Sequence, residues 1–408
     1  MSSMRHLQRF LWLLTIVLVA ACSKDKVIDE PAKLTVFTPA LKVQHLWGTS
    51  VDDKQAGDLR LGLGISIAEG RLYAAGHKGE VTAFDLQTGK IIWRKRLKAP
   101  LSGGTAASAD LVLIGASNGH LFALAAADGA VRWDVQLKGE VLAPAAISEK
   151  LIAVRTGDGK LRALSPADGH ELWQQEQQVP KLSLRGTASP VISGDVVLCG
   201  FDNGKVVAMN ASDGSMQWEV TVTPPHGRTE LERLSDIDSR VIVSGQNVYA
   251  VGFQGKVAML ALDTGQVWWS HEASSARGMS IDGDTLYVST SDGEIVALRA
   301  RSGAELWRQN SLLYRRLSAP VAMDEGVVLA DLDGYVHWLD KTNGAIIARV
   351  RDGSMRVSTP PVVSGNLVAV ITDRGQLSVF RVTPLGGTPK TAAAGASDSD
   401  PASSPQGR

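Results

Sequence analysis

Side chains capable of acid–base, nucleophilic or metal chemistry are scattered along this sequence. The eight histidines occur singly, and the chain contains no HExxH motif, no CxxC motif and no glycine-rich phosphate loop after a strand. Asp236 and Asp238 form a carboxylate pair that lacks the spacing and the glycine of an EF-hand loop, so the pair does not specify calcium. The sequence therefore predicts no catalytic residue, no metal site and no cofactor.

Cys22 is the residue whose surroundings most clearly indicate a chemical modification. Residues 10–21 form an apolar run that is too short to span a bilayer of ~30 Å, so residues 1–21 are predicted to be a signal peptide. Small and aliphatic residues at 18–21 resemble a bacterial lipobox, in which the following cysteine receives the lipid. Ser23, where an aspartate would indicate retention at the inner membrane, implies the periplasmic face of the outer membrane. The alternative is a plain secretory signal with an incidental cysteine.

Composition limits the classes of function. Lysine plus arginine and aspartate plus glutamate number 42 each in a chain of 408 residues, so no overall field attracts nucleic acid. Cys22 and Cys199 are the two cysteines, one in the leader and one in an apolar run, so they are not expected to form a disulfide. Cys199 is predicted to be a small buried core residue.

A repeated segment organises the chain. Gly79–Trp93, with the sequence GEVTAFDLQTGKIIW, predicts a strand, a tight turn and a second strand. Every copy has glycine ten residues after the first glycine, and six of seven have tryptophan fourteen residues after it. The other copies occupy residues 119–133, 159–173, 204–218, 255–269, 293–307 and 334–348. Successive first glycines are 38–51 residues apart, which favours four-stranded propeller blades.

The two ends of the chain complement each other. An eighth copy begins at Gly375–Phe380 but has no tryptophan strand, whereas Val43–Trp47 resembles such a strand and stands alone. We therefore expect an all-β, eight-bladed propeller over residues 42–383, closed by pairing of its terminal strands, which removes open sheet edges. Residues 22–41 are expected to be a flexible tether, and residues 384–408, rich in Pro, Gly, Ala and Ser, a disordered tail.

The recurring tryptophans have two interpretations. They could stack on a cofactor or a sugar, or they could wedge between neighbouring blades and bury a large aromatic area. The second interpretation is favoured because one residue repeated in six units is a packing rule rather than a single site. The expected inter-blade residues are Trp47, Trp93, Trp133, Trp173, Trp218, Trp269 and Trp307.

Unequal spacing locates a candidate functional site. The two longest intervals have their extra residues in the connections after Trp173 and Trp218, which should emerge side by side on one face. Leu182, Leu184 and Arg185 in the first connection would face Asp236 and Asp238 in the second, a pattern suited to binding a protein partner. The alternative is two solvated loops joined by an Arg–Asp bridge contributing ~0–1 kcal/mol.

The repeat resembles the tryptophan-docking motif of pyrroloquinoline quinone (PQQ) dehydrogenases, which are eight-bladed propellers. That resemblance implies the fold. Those enzymes carry adjacent cysteines beside the quinone and a calcium site of Glu, Asn and Asp, whereas this sequence has no adjacent cysteines. A dehydrogenase using PQQ and calcium stays as the alternative function, with a glycan-binding envelope propeller as a third.

More specific segments resemble the BamB family of outer-membrane assembly lipoproteins, over about residues 47–382. The segments are WGTSV at 47–51, VPKLSLRG at 179–186, RLSDID at 233–238, LLYRR at 312–316 and DGYVHW at 333–338. The resemblance implies a non-enzymatic scaffold of the β-barrel assembly (BAM) complex, lipid-anchored at Cys22. It also implies that Leu182, Leu184, Arg185, Asp236 and Asp238 dock the POTRA domains of BamA. Unfolded outer-membrane proteins are a further partner that the sequence leaves open.

Overall fold

The computed structural model describes residues 29–51, 63–180, 182, 184 and 188–386. These residues form strands and no helix. The first sixteen strands are β1 (Leu41–Ser50), β2 (Ser66–Ala68), β3 (Arg71–Ala75), β4 (Glu80–Asp85), β5 (Ile91–Arg96), β6 (Leu101–Ala107), β7 (Leu111–Ala116), β8 (His120–Ala125), β9 (Val131–Gln136), β10 (Ala146–Ile147), β11 (Ile152–Arg155), β12 (Lys160–Leu164), β13 (Glu171–Glu176), β14 (Val191–Ser193), β15 (Val196–Gly200) and β16 (Lys205–Asn210). The others are β17 (Met216–Thr221), β18 (Ile242–Ser244), β19 (Asn247–Val251), β20 (Lys256–Ala261), β21 (Val267–Glu272), β22 (Met279–Asp282), β23 (Thr285–Ser289), β24 (Ile295–Arg299), β25 (Glu305–Gln309), β26 (Val321–Met323), β27 (Gly326–Ala330), β28 (Tyr335–Leu339), β29 (Ile346–Arg351), β30 (Val362–Ser364), β31 (Leu367–Ile371) and β32 (Gln376–Pro384).

The strands form eight four-stranded antiparallel blades. Blades 1 to 7 take consecutive strands, from β2–β5 in blade 1 to β26–β29 in blade 7, and the first strand of each blade is the innermost. Central strands are buried almost throughout, whereas the outermost strands alternate between exposed and buried residues. The predicted all-β, eight-bladed propeller is confirmed.

Blade 8 contains both ends of the propeller. Its strand order is β1, β32, β31, β30, so the N-terminal strand is the outermost strand of a sheet made by the C-terminal ones. β1 pairs antiparallel with β32, with Leu41 opposite Pro384 and Trp47 opposite Val379. The predicted closure of the ring is thus confirmed, and hydrogen bonds between the two chain ends lock the last blade.

Each of the seven repeat tryptophans lies against the next blade around the ring. Its indole Nε1 donates a hydrogen bond of 2.8–2.9 Å to a backbone carbonyl at the turn before that blade's outermost strand. The donor and acceptor pairs are Trp47 with Leu86, Trp93 with Ala126, Trp133 with Pro166, Trp173 with Ala211, Trp218 with Leu262, Trp269 with Ala300 and Trp307 with Lys341. Buried apolar clusters continue from one blade to the next around these indoles.

The turn that receives each indole requires glycine. At Gly129 the backbone has φ +73°, and a Cβ there would lie 2.6 Å from the Trp93 ring. Glycine therefore satisfies both a left-handed conformation and the close approach of an aromatic ring. This requirement explains why glycine recurs ten residues into every copy.

The seam between blades 7 and 8 is built differently. In blades 1 to 4 the tryptophan of the outermost strand is paired with an alanine of its neighbour, as Trp93 is with Ala83. In blade 7 the two residue types are exchanged, because Trp338 on the inner neighbour pairs with Ala348. Trp338 is fully buried and packs in one cluster with Phe380 of blade 8. An indole thus fills this seam from the neighbouring strand.

The chain before β1 is docked on blade 7. Phe37 stacks under the guanidinium of Arg349 at 5.0 Å, and Arg349 Nη1 donates to the Thr35 carbonyl at 3.1 Å. The Ala40 N–H donates to the Ile347 carbonyl at 2.9 Å. The sequence predicts a flexible tether up to residue 41, whereas residues 32–40 are held by backbone hydrogen bonds and a cation–π contact.

We expect Gly129→Ala to lower the free energy of unfolding by about 3 kcal/mol, because the new methyl group clashes with Trp93 as well as straining the backbone. Gly194→Ala is the matched control. Its φ is +57° and nothing lies within 4 Å of the added Cβ, so only backbone strain of about 1 kcal/mol applies. Denaturant unfolding of both variants measures the difference. Equal losses would show that the indole contact is unimportant.

Candidate partner-binding surface

Two long connections leave the ring on one face. Strand direction alternates within each blade, so every connection from an outermost strand to the next innermost strand emerges on the same side. The connection from β13 to β14 spans residues 177–190, and that from β17 to β18 spans residues 222–241. These are the connections in which the sequence has its extra residues, and we call them loop A and loop B.

A hydrogen bond joins loop A to loop B. The backbone N–H of Leu184 donates to the Asp236 carboxylate. The Asp236 backbone carbonyl in turn accepts the N–H of Phe253 at 2.9 Å. The expected proximity of the loops is confirmed, but Asp236 is fully buried rather than displayed. Its carboxylate anchors the backbone of Leu184, because a partly buried N–H needs an acceptor.

The apolar residues of loop A differ in exposure. Leu182 is 44% exposed, whereas Leu184 is half-buried. Asp238 is also half-buried, two residues beyond Asp236 in loop B. Arg185 lies outside the described residues. Loop A thus presents an exposed leucine two residues from the backbone N–H that Asp236 accepts.

Loop B is held by its own capping box. Glu232 accepts hydrogen bonds from the N–H groups of Arg228 at 2.8 Å and Thr229 at 3.0 Å. Thr229 Oγ1 accepts the Glu232 N–H at 3.2 Å, which is the reciprocal pattern that begins a helical turn. The bonds from Thr229 and Arg228 lower the pKa of Glu232. This turn displays Leu231, which is 65% exposed. Sequence reasoning missed Leu231, although an aliphatic residue between two glutamates was the available signal.

A buried ion pair lies near the carboxylates of loop B. Arg155 is 1% exposed, its Nη2 contacts the Asp202 carboxylate, and its Nη1 donates to the Gly200 carbonyl at 3.0 Å. The guanidinium also stacks 4.7 Å from the ring centre of Phe201. The charge of Asp202 raises the pKa of both Asp236 and Asp238, whereas the charge of Arg155 lowers the pKa of both.

Burial perturbs the acidic residues of loop B. It raises the pKa of Asp236 to about 6, although the hydrogen bond from Leu184 acts the other way. Burial also raises the pKa of Asp238 to about 7, and the charges of Asp236 and Asp202 raise it further, while Arg155 and Arg277 oppose them. One oxygen of each carboxylate is enclosed without a hydrogen-bond partner among the described residues. Such groups are costly to bury and often mark functional sites.

Two residues of catalytic type have structural roles. Ser117 lies in a GxSxG sequence, but that sequence is a hairpin turn between β7 and β8 and lacks the strand-to-helix geometry of a nucleophile elbow. Cys199 is buried as predicted, and burial raises the pKa of its thiol to about 12, which disfavours the reactive thiolate.

Across the described ranges, no three His, Cys, Asp or Glu residues are grouped to hold a metal ion. Nor does any described segment form a helix long and apolar enough to cross a membrane.

The fold and this surface define a class, an eight-bladed propeller of tryptophan-docked repeats with irregular loops on one face. A family model described as outer membrane protein assembly factor BamB matches residues 77–309 and 291–385. A Pseudomonas aeruginosa protein of that description is 44% identical over 369 residues, which cover 90% of this chain and 97% of the relative. The chain therefore belongs to the BamB family, and the resemblance seen in its sequence motifs is confirmed.

Solved structures agree with this assignment. The crystal structure of BamB from Moraxella catarrhalis has a TM-score of 0.76 and 28% sequence identity, covering 83% of this chain and all of that one. A europium-containing methanol dehydrogenase has a TM-score of 0.68 at 14% identity, covering 83% of this chain and 93% of the enzyme. The second similarity shows the propeller fold alone.

We expect Asp238→Asn to stabilise the protein in a pH-dependent way. The folded-state pKa of about 7 exceeds the ~3.9 of an unfolded aspartate, so ionisation destabilises the fold progressively as pH rises from ~4 through 7. Asparagine cannot ionise, so the melting temperature should rise by about 2 °C at pH 8 and less at pH 5.

Thermal unfolding across this pH range is the measurement. Asp195→Asn is the control, because Asp195 and its partner Lys150 are more than 80% exposed and their bridge contributes little at any pH. A gain for Asp238→Asn that did not change with pH would contradict the assigned cause.

Proposed function

We propose that this protein is a scaffold of the outer-membrane β-barrel assembly machinery that binds the periplasmic POTRA domains of BamA through loops A and B. Family membership supports the general role, since relatives of known name are outer membrane protein assembly factors. The observation that carries the specific site is the bond from Leu184 to buried Asp236, which joins loop A to loop B two residues from exposed Leu182.

The proposed contact has an apolar centre. Leu182 would insert into a partner pocket, because well-packed aliphatic anchors supply much of the binding energy in protein interfaces. Asp236 would act as a positioning residue through Leu184. Arg185 would supply a fork-shaped donor to a partner carboxylate or to Asp238. Half-buried Asp238, whose raised pKa the charges of Arg155 and Arg277 offset only in part, would then gain a further counter-charge.

We also propose that the protein is not an enzyme and uses no cofactor. Ser117, the serine of the GxSxG sequence, lies in a hairpin turn, and Cys199 lies in the core. The dehydrogenase alternative is not favoured, because similarity at 14% identity extends to the fold alone. A glycan-binding role has no specific observation in its favour.

Lipid attachment at Cys22 is the proposed means of localisation to the periplasmic face of the outer membrane. Cys22 lies outside the described residues, so its lipobox sequence carries this proposal. More than one acyl chain is needed for stable anchoring, which a triacylated cysteine would provide. Docking of residues 32–40 on blade 7 would place the tether beside that blade.

We expect Leu182→Glu to weaken binding of purified BamA periplasmic domains by about 30-fold, because a charge replaces an aliphatic anchor that the partner would bury. Leu172→Glu is the matched control: Leu172 is 43% exposed against 44% for Leu182, but it lies on the outermost strand β13. Arg185→Glu should weaken binding as well. Calorimetric titration gives the dissociation constants. If Leu182→Glu and Leu172→Glu bind alike, loop A is not the contact.

We expect Cys22→Ala to release the protein from the outer membrane without unfolding it, because the lipid is lost while the propeller is unchanged. Incorporation of labelled palmitate and membrane fractionation measure the effect. Cys199→Ala, which alters the other cysteine, should leave labelling and membrane association intact. Labelled palmitate on the Cys22→Ala protein would refute the assignment.

A further inference from the structure

Loop B and the three inter-blade connections that follow it lie side by side. A Cβ added at Gly278 would lie 3.2 Å from the Ser239 Cβ of loop B and 3.5 Å from the Ala319 Cβ of the next connection. The connection before blade 8 reaches the same neighbourhood, since the Val357 N–H donates to the Asp331 carbonyl at 3.2 Å. The loops before blades 5, 6, 7 and 8 therefore form one continuous surface.

The connection before blade 7 is held in a strained form. Tyr314 and Arg316 have φ of 59° and 49°, a left-handed conformation that side-chain-bearing residues rarely adopt. Arg315 between them is buried, and it donates from Nε to Asp331 and from Nη2 to Asp333, each at 2.6 Å. These ion pairs hold the loop in place, and Tyr314 and Arg316 are exposed on either side. Strain maintained in this way is typical of binding sites.

Positive charge is concentrated on this part of the surface. Arg277, Arg316 and Arg356 come from three successive connections. The pKa of Arg277 is lowered first by burial and then by the charges of Arg356 and Arg316, while Asp373 and Asp238 oppose this shift. Arg356 forms a long ion pair with Asp373, with 4.0 Å between Nε and the carboxylate, and its Nε and Nη2 atoms have no hydrogen-bond partner among the described residues.

We propose that Tyr314, Arg277, Arg316 and Arg356 form a second docking surface, which binds an acidic segment of the same partner that loops A and B contact. The inference rests on the proposed function and deepens it. Its occupant is identified by charge complementarity, since Arg316 is exposed beside Arg277 and Arg356, and carboxylates are the groups that such an arginine cluster binds. Exposed tyrosine and arginine are the residue types that dominate protein interfaces.

The arrangement would orient the partner on a nearly symmetric ring. Half-buried Asp238, which has one oxygen without a hydrogen-bond partner among the described residues, lies on the blade 5 side, and guanidinium groups lie on the side of blades 6 to 8. A partner with basic groups over blade 5 and acidic groups over blades 6 to 8 fits in one rotational setting. Reversed placement brings like charges together, which is how charge patterns fix register in an interface.

The test measures binding of purified BamA periplasmic domains to the full chain and its variants. We expect Arg316→Glu to weaken binding about tenfold and to reduce its dependence on salt, because a favourable charge pair becomes repulsive. Arg316→Lys, which keeps the charge, should retain most of the affinity. Arg277→Gln should weaken binding in the same direction without touching the strained loop, so loss of local structure cannot explain both results.

The control is Arg301→Glu. Arg301 is an 85% exposed arginine in the turn between β24 and β25, which faces the opposite side of the ring. It should leave the affinity unchanged. Equal melting temperatures across the set show that each variant is folded.

The outcomes separate the two proposals. If Leu182→Glu abolishes binding while Arg316→Glu and Arg277→Gln bind as the wild type does, this inference is wrong and the proposed function stands. If the wild-type chain does not bind the BamA domains at all, both fall. Binding of the same variants to phosphatidylglycerol vesicles is measured in parallel. If Arg316→Glu and Arg277→Gln bind the BamA domains normally but lose binding to the vesicles, the basic surface recognises lipid and the inference is overturned.

Discussion

The contact between an indole and the glycine turn of the next blade governs this structure. A four-stranded sheet cannot bury both of its faces alone, so each blade depends on its neighbour for a core. The tryptophan supplies a large apolar surface for that interface, and its Nε1 bond to a carbonyl fixes the height at which the blades meet. Because this contact is repeated, every loop on one face has a determined position relative to the next.

The interface between blades 7 and 8, which closes the ring, differs from the others. Between blades 7 and 8 the repeat lacks its tryptophan, and the indole of Trp338 comes from the neighbouring strand instead. Its Nε1 has no hydrogen-bond partner among the described residues, unlike the other seven. The docked segment that contains Phe37 and Thr35 adds contacts with Arg349 on the outside of blade 7. This seam thus keeps a buried indole. The indole hydrogen bond of the other seams is absent here among the described residues, and the polar contacts of blade 7 are those of Arg349.

Function depends on departures from this regularity. Eight similar blades offer no preferred direction to a partner, so recognition has to come from loops that differ. Loops A and B place an exposed leucine near Asp236 and Asp238, whose pKa values are raised by burial. The loop before blade 7 holds Tyr314 and Arg316 in a conformation that is maintained by the buried ion pairs of Arg315. In the proposed interface, both arrangements would use buried charge to limit the motion of loops that contact the partner, which would reduce the entropy lost on binding.

The sequence by itself determined the blade, the number of blades and the closure of the ring. Glycine and tryptophan at fixed offsets reflect short-range geometry, and the unmatched strand at each end is visible as a pattern. It also located loops A and B, because an insertion in a repeat changes its length. Only the tertiary structure decided that Asp236 is buried against Leu184, that Trp338 fills the seam where the repeat has alanine at residue 348, and that residues 32–40 are docked. It alone brought Arg277, Arg316 and Arg356 near loop B. These features depend on contacts between blades, where residues far apart in the chain meet, and no local periodicity records which side chains will share that space.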